Sequence, residues 1–192
     1  ISDKAVDYVD GNLTPELLDQ AKDLVDLMPE GEKKKELKDK LQQLENIVDQ
    51  VNEVLEALNN AQKNPSDEAI QDAQNKINEL KELDTKYVTE EDIKALQNQL
   101  DLVKVAHEKE QMADKLNNAK DLLLTTPVGE NGENFFDTEV YVTEEEKKAL
   151  QDAIQKVENA HTKTEFNEAK NALENALKPY TDEKKYGDRN KA

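Results

Sequence analysis

Apolar residues recur three and four positions apart through most of this chain, which is the spacing of one helical face. Leu17, Leu18, Ala21, Leu24, Val25 and Met28 predict a first helix, opened by Thr14-Pro15 and broken by Pro29-Glu30-Gly31. Leu37, Leu41, Leu44, Val48, Val51, Leu55 and Leu58 alternate four and three apart and predict one long helix over 32–62. Asn64-Pro65 ends it. Ser66, followed by Asp67 and Glu68, opens a third helix with Ile70, Ala73, Ile77, Leu80 and Leu83 on one face. Thr89, with Glu90 and Glu91 in the first turn, opens a fourth with Ile93, Leu96, Leu100 and Val103. That stripe weakens over 107–111 and resumes at Met112, Leu116, Ala119 and Leu123. With no Gly or Pro inside it, 89–124 reads as one helix rather than two joined by a kink near His107. After the irregular stretch 125–142, Thr143 caps a helix through Leu150, Ile154 and Val157, and a last one from about Lys163 carries Phe166, Ala169, Leu173, Ala176 and Leu177.

The pattern repeats. YVTEEDIKALQNQL from Tyr87 returns as YVTEEEKKALQDAI from Tyr141, and TPELLDQAKDLVDLM from Thr14 returns as SDEAIQDAQNKINEL from Ser66. Phe166, Ala169 and Leu173 repeat Ile70, Ala73 and Ile77. Repeated residues at apolar helical positions indicate units that bury one face against their neighbours. The expected fold is therefore all-α: tandem three-helix bundles sharing long helices in an elongated rod. The expected divisions are an irregular leader (1–13), a first bundle (14–88), a second bundle (89–180) and a flexible tail (181–192). Short helices with Pro-Gly and Asn-Pro breaks favour folding back within one chain over pairing between chains, so a monomer is expected.

Composition agrees with thin cores. Of the 192 residues, 35% are hydrophobic and 36% charged, which suits helices that each bury a single stripe. The net charge of −18 repels phosphate backbones and anionic lipid, so neither nucleic acid nor membrane is an expected partner. No apolar run approaches membrane-spanning length. The first ten residues lack a basic start and an apolar stretch, so no signal peptide is expected and the sequence reads as an internal fragment.

Candidate chemistry is sparse. Cysteine is absent, which removes thiol nucleophiles, disulfides and Cys-based zinc sites. The two histidines, His107 and His161, stand far apart and make no metal pair. There is no GxSxG, no glycine-rich phosphate loop and no HExxH. The expectation is no enzyme: no catalytic residues, no metal and no cofactor. The loop over 127–142 has several acids and asparagines but not the order of a calcium loop. It holds Phe135 and Phe136, two of three phenylalanines, close to Tyr141. These three aromatics are the candidate partner contacts; they either plug the end of the bundle or form an exposed binding tip.

From Asp114 to Tyr180 the chain resembles a FIVAR-type module, a small three-helix bundle of Gram-positive extracellular proteins. The resemblance rests on DKLNNAKDLL, then Tyr141-Val142-Thr143, then EEEKKALQDAIQKVENA and TEFNEAKNALENAL. Val54 to Leu80 carries the second half of the same order, and Asp23 to Leu44 is similar to helix–turn–helix repeats of such surface proteins. The resemblance implies a non-catalytic spacer or stalk of a cell-surface or secreted protein, extracellular and wall-attached or released, beside flanking domains of a larger protein. It leaves open an adhesive module for a host protein or glycan, and an accessory module of a glycan-active enzyme.

Overall fold

In a computed structural model, residues 15–83 and 85–189 are described; the expected leader and Thr14 lie outside them. The class is all-α. Among the described residues there are seven α-helices: α1 Pro15–Asp26, α2 Glu32–Lys63, α3 Asp67–Glu82, α4 Glu90–Gln111, α5 Ala113–Thr125, α6 Glu144–Asn159 and α7 Lys163–Leu177. A two-stranded antiparallel pair, β1 Val140–Tyr141 with β2 Lys185–Tyr186, joins the loop before α6 to the tail.

The helices begin where their side chains satisfy the free N–H groups of a first turn. Ser66 Oγ accepts from the Ala69 N–H at 3.1 Å. Thr89 Oγ1 accepts from the Asp92 N–H at 3.2 Å while Asp92 Oδ2 accepts from the Thr89 N–H at 2.8 Å. Thr143 and Glu146 repeat that reciprocal box, at 3.2 and 2.8 Å. The repeated YVT sequence therefore fixes the same helix start twice.

Contacts divide the chain into two compact units, 1–103 and 104–192. In the first, α1 packs on the first half of α2, and α3 on its second half. Val51, Val54, Leu58, Ala61, Ala73, Ile77 and Leu80 form the centre of its core. Leu96, Leu100 and Val103 of α4 belong to the same core, so the first unit runs past the boundary expected after residue 88. Partner helices are pinned at the surface: Lys22 meets Glu45 at 2.5 Å, and Lys76 meets Glu53 at 3.3 Å. Lys34 is buried beside the end of α1, donating to the Asp26 carbonyl at 3.2 Å and to Glu30 at 2.6 Å. That bond, with the Lys34 charge, holds the Glu30 carboxyl below its ordinary value.

The second unit is centred on Val142, Leu150, Val157, Phe166, Ala169 and Leu173. α6 and α7 form its hairpin and α5 packs on α6. Lys109 closes the end of α6 by donating to the carbonyls of Glu158 (3.0 Å) and Ala160 (2.6 Å). Lys120 also pairs with Glu158.

Two expectations are corrected. The helix expected over 89–124 is two helices, separated at Met112, whose φ of −87° and ψ of 0° fall in the bridge region. The Met112 N–H still reaches Glu108 (3.0 Å) and the Leu116 N–H reaches Met112 (2.9 Å), so one residue opens the turn without Gly or Pro. The tail expected to be flexible from 181 is docked as far as Arg189, because its backbone pairs with the loop described below.

Leu100 is fully buried among residues of α2 and α3. Leu100→Ala is expected to lower stability by about 2–5 kcal/mol. In hydrogen exchange it should speed opening of α2 and α3 while leaving α6 and α7 unchanged.

Candidate functional site

The segment between α5 and α6 was the candidate contact region, and backbone pairing gives it a defined path. Pro127 and Gly129 bracket Val142: the Val142 N–H donates to the Pro127 carbonyl at 3.0 Å, and the Gly129 N–H to the Val142 carbonyl at 2.9 Å. The Asn131 side chain accepts from the Glu133 N–H at 3.2 Å and starts a 3-10 turn over Gly132–Asn134. Glu139 then folds back, its carboxylate accepting from the Phe136 N–H at 2.7 Å.

The C-terminal segment lies along this loop. Gly187 N–H donates to Glu139, Asp188 N–H to Gly132 and Arg189 N–H to Phe135, at 3.0, 2.9 and 3.0 Å. Asp137 N–H returns a bond to the Arg189 carbonyl at 3.0 Å. The fit is close enough to dictate glycine. A Cβ on Gly187 would overlap the carbonyl oxygens of Phe135 and Phe136, and one on Gly129 would overlap the Phe135 ring.

The three candidate aromatics divide into two arrangements. Phe135 stacks on Tyr141 with ring centres 4.8 Å apart and 13° between planes. Phe136 instead faces Arg189, whose guanidinium carbon lies 4.3 Å from the ring centre. Tyr141 is buried; Phe135 and Phe136 are each half-buried. Lys185 lies 5.7 Å from the Tyr141 ring and holds both oxygens of Glu146, at 2.7 and 2.6 Å. Glu146 thus joins the tail to the N-terminal box of α6. Partial burial works to raise its carboxyl, but the Lys185 bond and the bonds from Thr143 outweigh this and hold it below the ordinary value.

Behind this surface Tyr180 is 3% exposed and its hydroxyl oxygen has no hydrogen-bond partner. Burial, and then the negative charge of Glu146, push the phenol up to about 12. Arg189, Lys185, Glu146 and Tyr180 were not among the sequence candidates. Gly187, set in an otherwise charged tail, was the one local signal of a close approach.

Elsewhere the chemistry is limited. His107 Nε2 lies 3.1 Å from Gln111 on an exposed helix face, and the His161 N–H donates to Glu165 at 3.0 Å. Among the described residues no group of three or more His, Cys, Asp or Glu is placed to hold a metal ion, and no helix is long and apolar enough to cross a membrane. A depression of about 670 Å³ lies between α3 and α4, lined by Ile77, Lys81, Thr85, Ile93, Lys94 and Gln97. Its floor is core aliphatic and its rim mostly amide and lysine. No protein-family model, curated protein or solved structure matches this chain.

Gly187→Ala is expected to cost about 1–3 kcal/mol, because backbone rather than a movable side chain occupies the space its methyl needs. A lowered urea midpoint, with faster exchange of the 187–189 amides, checks it. Tyr180→Phe should leave stability at neutral pH unchanged or raise it, since the hydroxyl has no partner to lose. In alkali the signs separate the two proteins. The unfolded phenol ionises near its ordinary 10.0 and the folded one near about 12, so the wild type loses stability as pH rises through that window. Urea midpoints of the two proteins should therefore diverge there in favour of the variant.

Proposed function

We propose that this chain is a non-catalytic helical spacer, a stalk module of a bacterial cell-surface or secreted protein that holds flanking domains apart. The observation that carries the reading is the repeat. The sequences from Tyr87 and from Tyr141 recur with the same reciprocal box at a helix start. Their apolar positions Leu96 and Leu150 are each fully buried in separate cores. What recurs is what packs, which is how a chain extends an array by adding units. The net charge of −18 supports the same role, since an array exposing much helical surface stays soluble and apart from like-charged neighbours. Display outside the cell and flanking domains belong to this proposal through the FIVAR resemblance.

An adhesive role through the loop is the second reading, since Phe135 and Phe136 remain half-exposed. The engagement of Phe135 by Tyr141 and of Phe136 by Arg189 supports the spacer reading over it, because both rings already serve the loop–tail junction.

Small-angle scattering tests the spacer directly. The expected distance distribution is skewed, with a maximum dimension well above that of a sphere of 192 residues. A compact, symmetric distribution would remove the reading. If a screen of host proteins and glycans finds a ligand whose binding is lost in a Phe136→Ala variant of unchanged stability, the adhesive reading replaces it.

A further inference from the structure

Two ties hold α3 to α4. The connection through Thr85 and Val88 joins them at one end, and further along Gln74 and Gln97 exchange amide hydrogen bonds at 2.8 and 3.0 Å. Between these ties lies the depression of about 670 Å³, a size that admits a small molecule. Its floor is Ile77, Leu80 and Val88, all core residues, with half-buried Ile93 beside them. Lys81 and Lys94 stand exposed on its rim, one from each helix. Among the described residues neither lysine has a carboxylate partner, and Glu90 is the one carboxylate in the lining.

The repeats show where this lining departs from its relatives in the same chain. α4 keeps Lys94 and Gln97 where α6 has Lys148 and Gln151, but Ile93 replaces Lys147 and Asn98 replaces Asp152. α3 differs from α7 in the same sense: Asn78 stands where α7 has Glu174, and Lys81 where it has Leu177. The position of Asn78 is again an acid in α1, Asp26. A lysine has become floor, and two carboxylates have become amides. Together Asn78, Lys81, Ile93 and Asn98 carry one positive charge, whereas their counterparts in α6 and α7 carry one negative charge. Asn78 and Asn98 are both exposed, so core packing does not account for the exchange. It falls on one rim of a chain in which 44 acids face 26 lysines and arginines.

We propose that this depression binds a small organic acid, with its apolar body on Ile77, Val88 and Ile93 and its carboxylate between Lys81 and Lys94. A net charge of −18 repels such an anion at long range, so a seat for one needs local relief. Two ammonium groups without a paired carboxylate supply it, and the loss of acids from the rim removes the nearest competition. The Asn78 amide oxygen accepts from Gln74 at 3.2 Å, which leaves its N–H groups to donate to the ligand. An uncharged apolar ligand would use the floor and leave both lysines idle. The seat lies within one unit and suits a stalk or an adhesive module alike, so it does not depend on the spacer role.

NMR titration of the intact protein tests it, with phenylbutyrate and octanoate as probes and phenylbutyramide as the uncharged control. The acids are expected to shift the methyl signals of Ile77, Val88 and Ile93 saturably, with a Kd below about 5 mM, and the amide to bind at least about fivefold more weakly. The double variant Lys81→Gln, Lys94→Gln should bring the acids down to the affinity of the amide. Asn98→Asp, which restores the residue of α6, should weaken the acids by about two- to fivefold and leave the amide unchanged. All three substitutions are at exposed positions, so the fold is kept. Absence of saturable shifts with both acids overturns the proposal. Equal affinity for acid and amide in the wild-type protein does so too, as does acid binding indifferent to loss of both lysines. Shifts confined to α6 and α7 assign the acids to another surface and overturn it equally.

Discussion

A helix of this composition can bury one narrow apolar stripe, and everything else in the structure follows from finding each stripe a neighbour. Isolated helices as short as α1 (12 residues) and α5 (13 residues) are marginal in water, and packing of an amphipathic face supplies most helical stability in proteins. The cores are built for that economy. Ala61, Ala73, Ala119 and Ala169 sit at positions with almost no exposure, where a small side chain suits close helix packing. Phe166 and Tyr180 add large rings to the second core. Because the stripes are narrow, cross-helix register is also held from outside, by pairs such as Lys22–Glu45, Lys76–Glu53 and Lys170–Glu108. Each such exposed pair contributes little by itself. Their value lies in discouraging slips that would set like charges together in a strongly acidic chain.

The helical part of the fold was readable because its signals are local. Ser66, Thr89 and Thr143 are capping residues whose hydrogen bonds are made within one turn, and the three-and-four spacing lies within each helix. The break at Met112 was not readable. It comes from a single residue's backbone angles with no Gly or Pro to announce it, and the i to i−4 bonds on either side persist. The extent of the first core past residue 88 was hidden for a related reason. An apolar stripe states that Leu96 and Leu100 are buried, but not against which helices.

The loop aromatics show the same limit from the other side. Phe135, Phe136 and Tyr141 stood out by composition, and all three do lie at one junction. What completes that junction is separated from it by two helices in sequence: Lys185, Gly187 and Arg189 come from a tail whose charged composition reads as solvated chain. Docking there depends on backbone N–H and C=O groups, which every residue has and which therefore leave no mark in composition. Only the glycine, needed where two carbonyls crowd the path, carries sequence information.

The way the tail docks also decides how the second unit would bear a pull. Chain leaving α7 does not depart from the helix end; it runs back past Tyr180 to the loop and is fastened there through Lys185 and the backbone of Gly187, Asp188 and Arg189. Traction on the chain beyond Arg189 would meet those bonds before it reached the α6–α7 hairpin. The first element to yield under tension would be a short bonded ribbon, released while the helical core behind it is still intact.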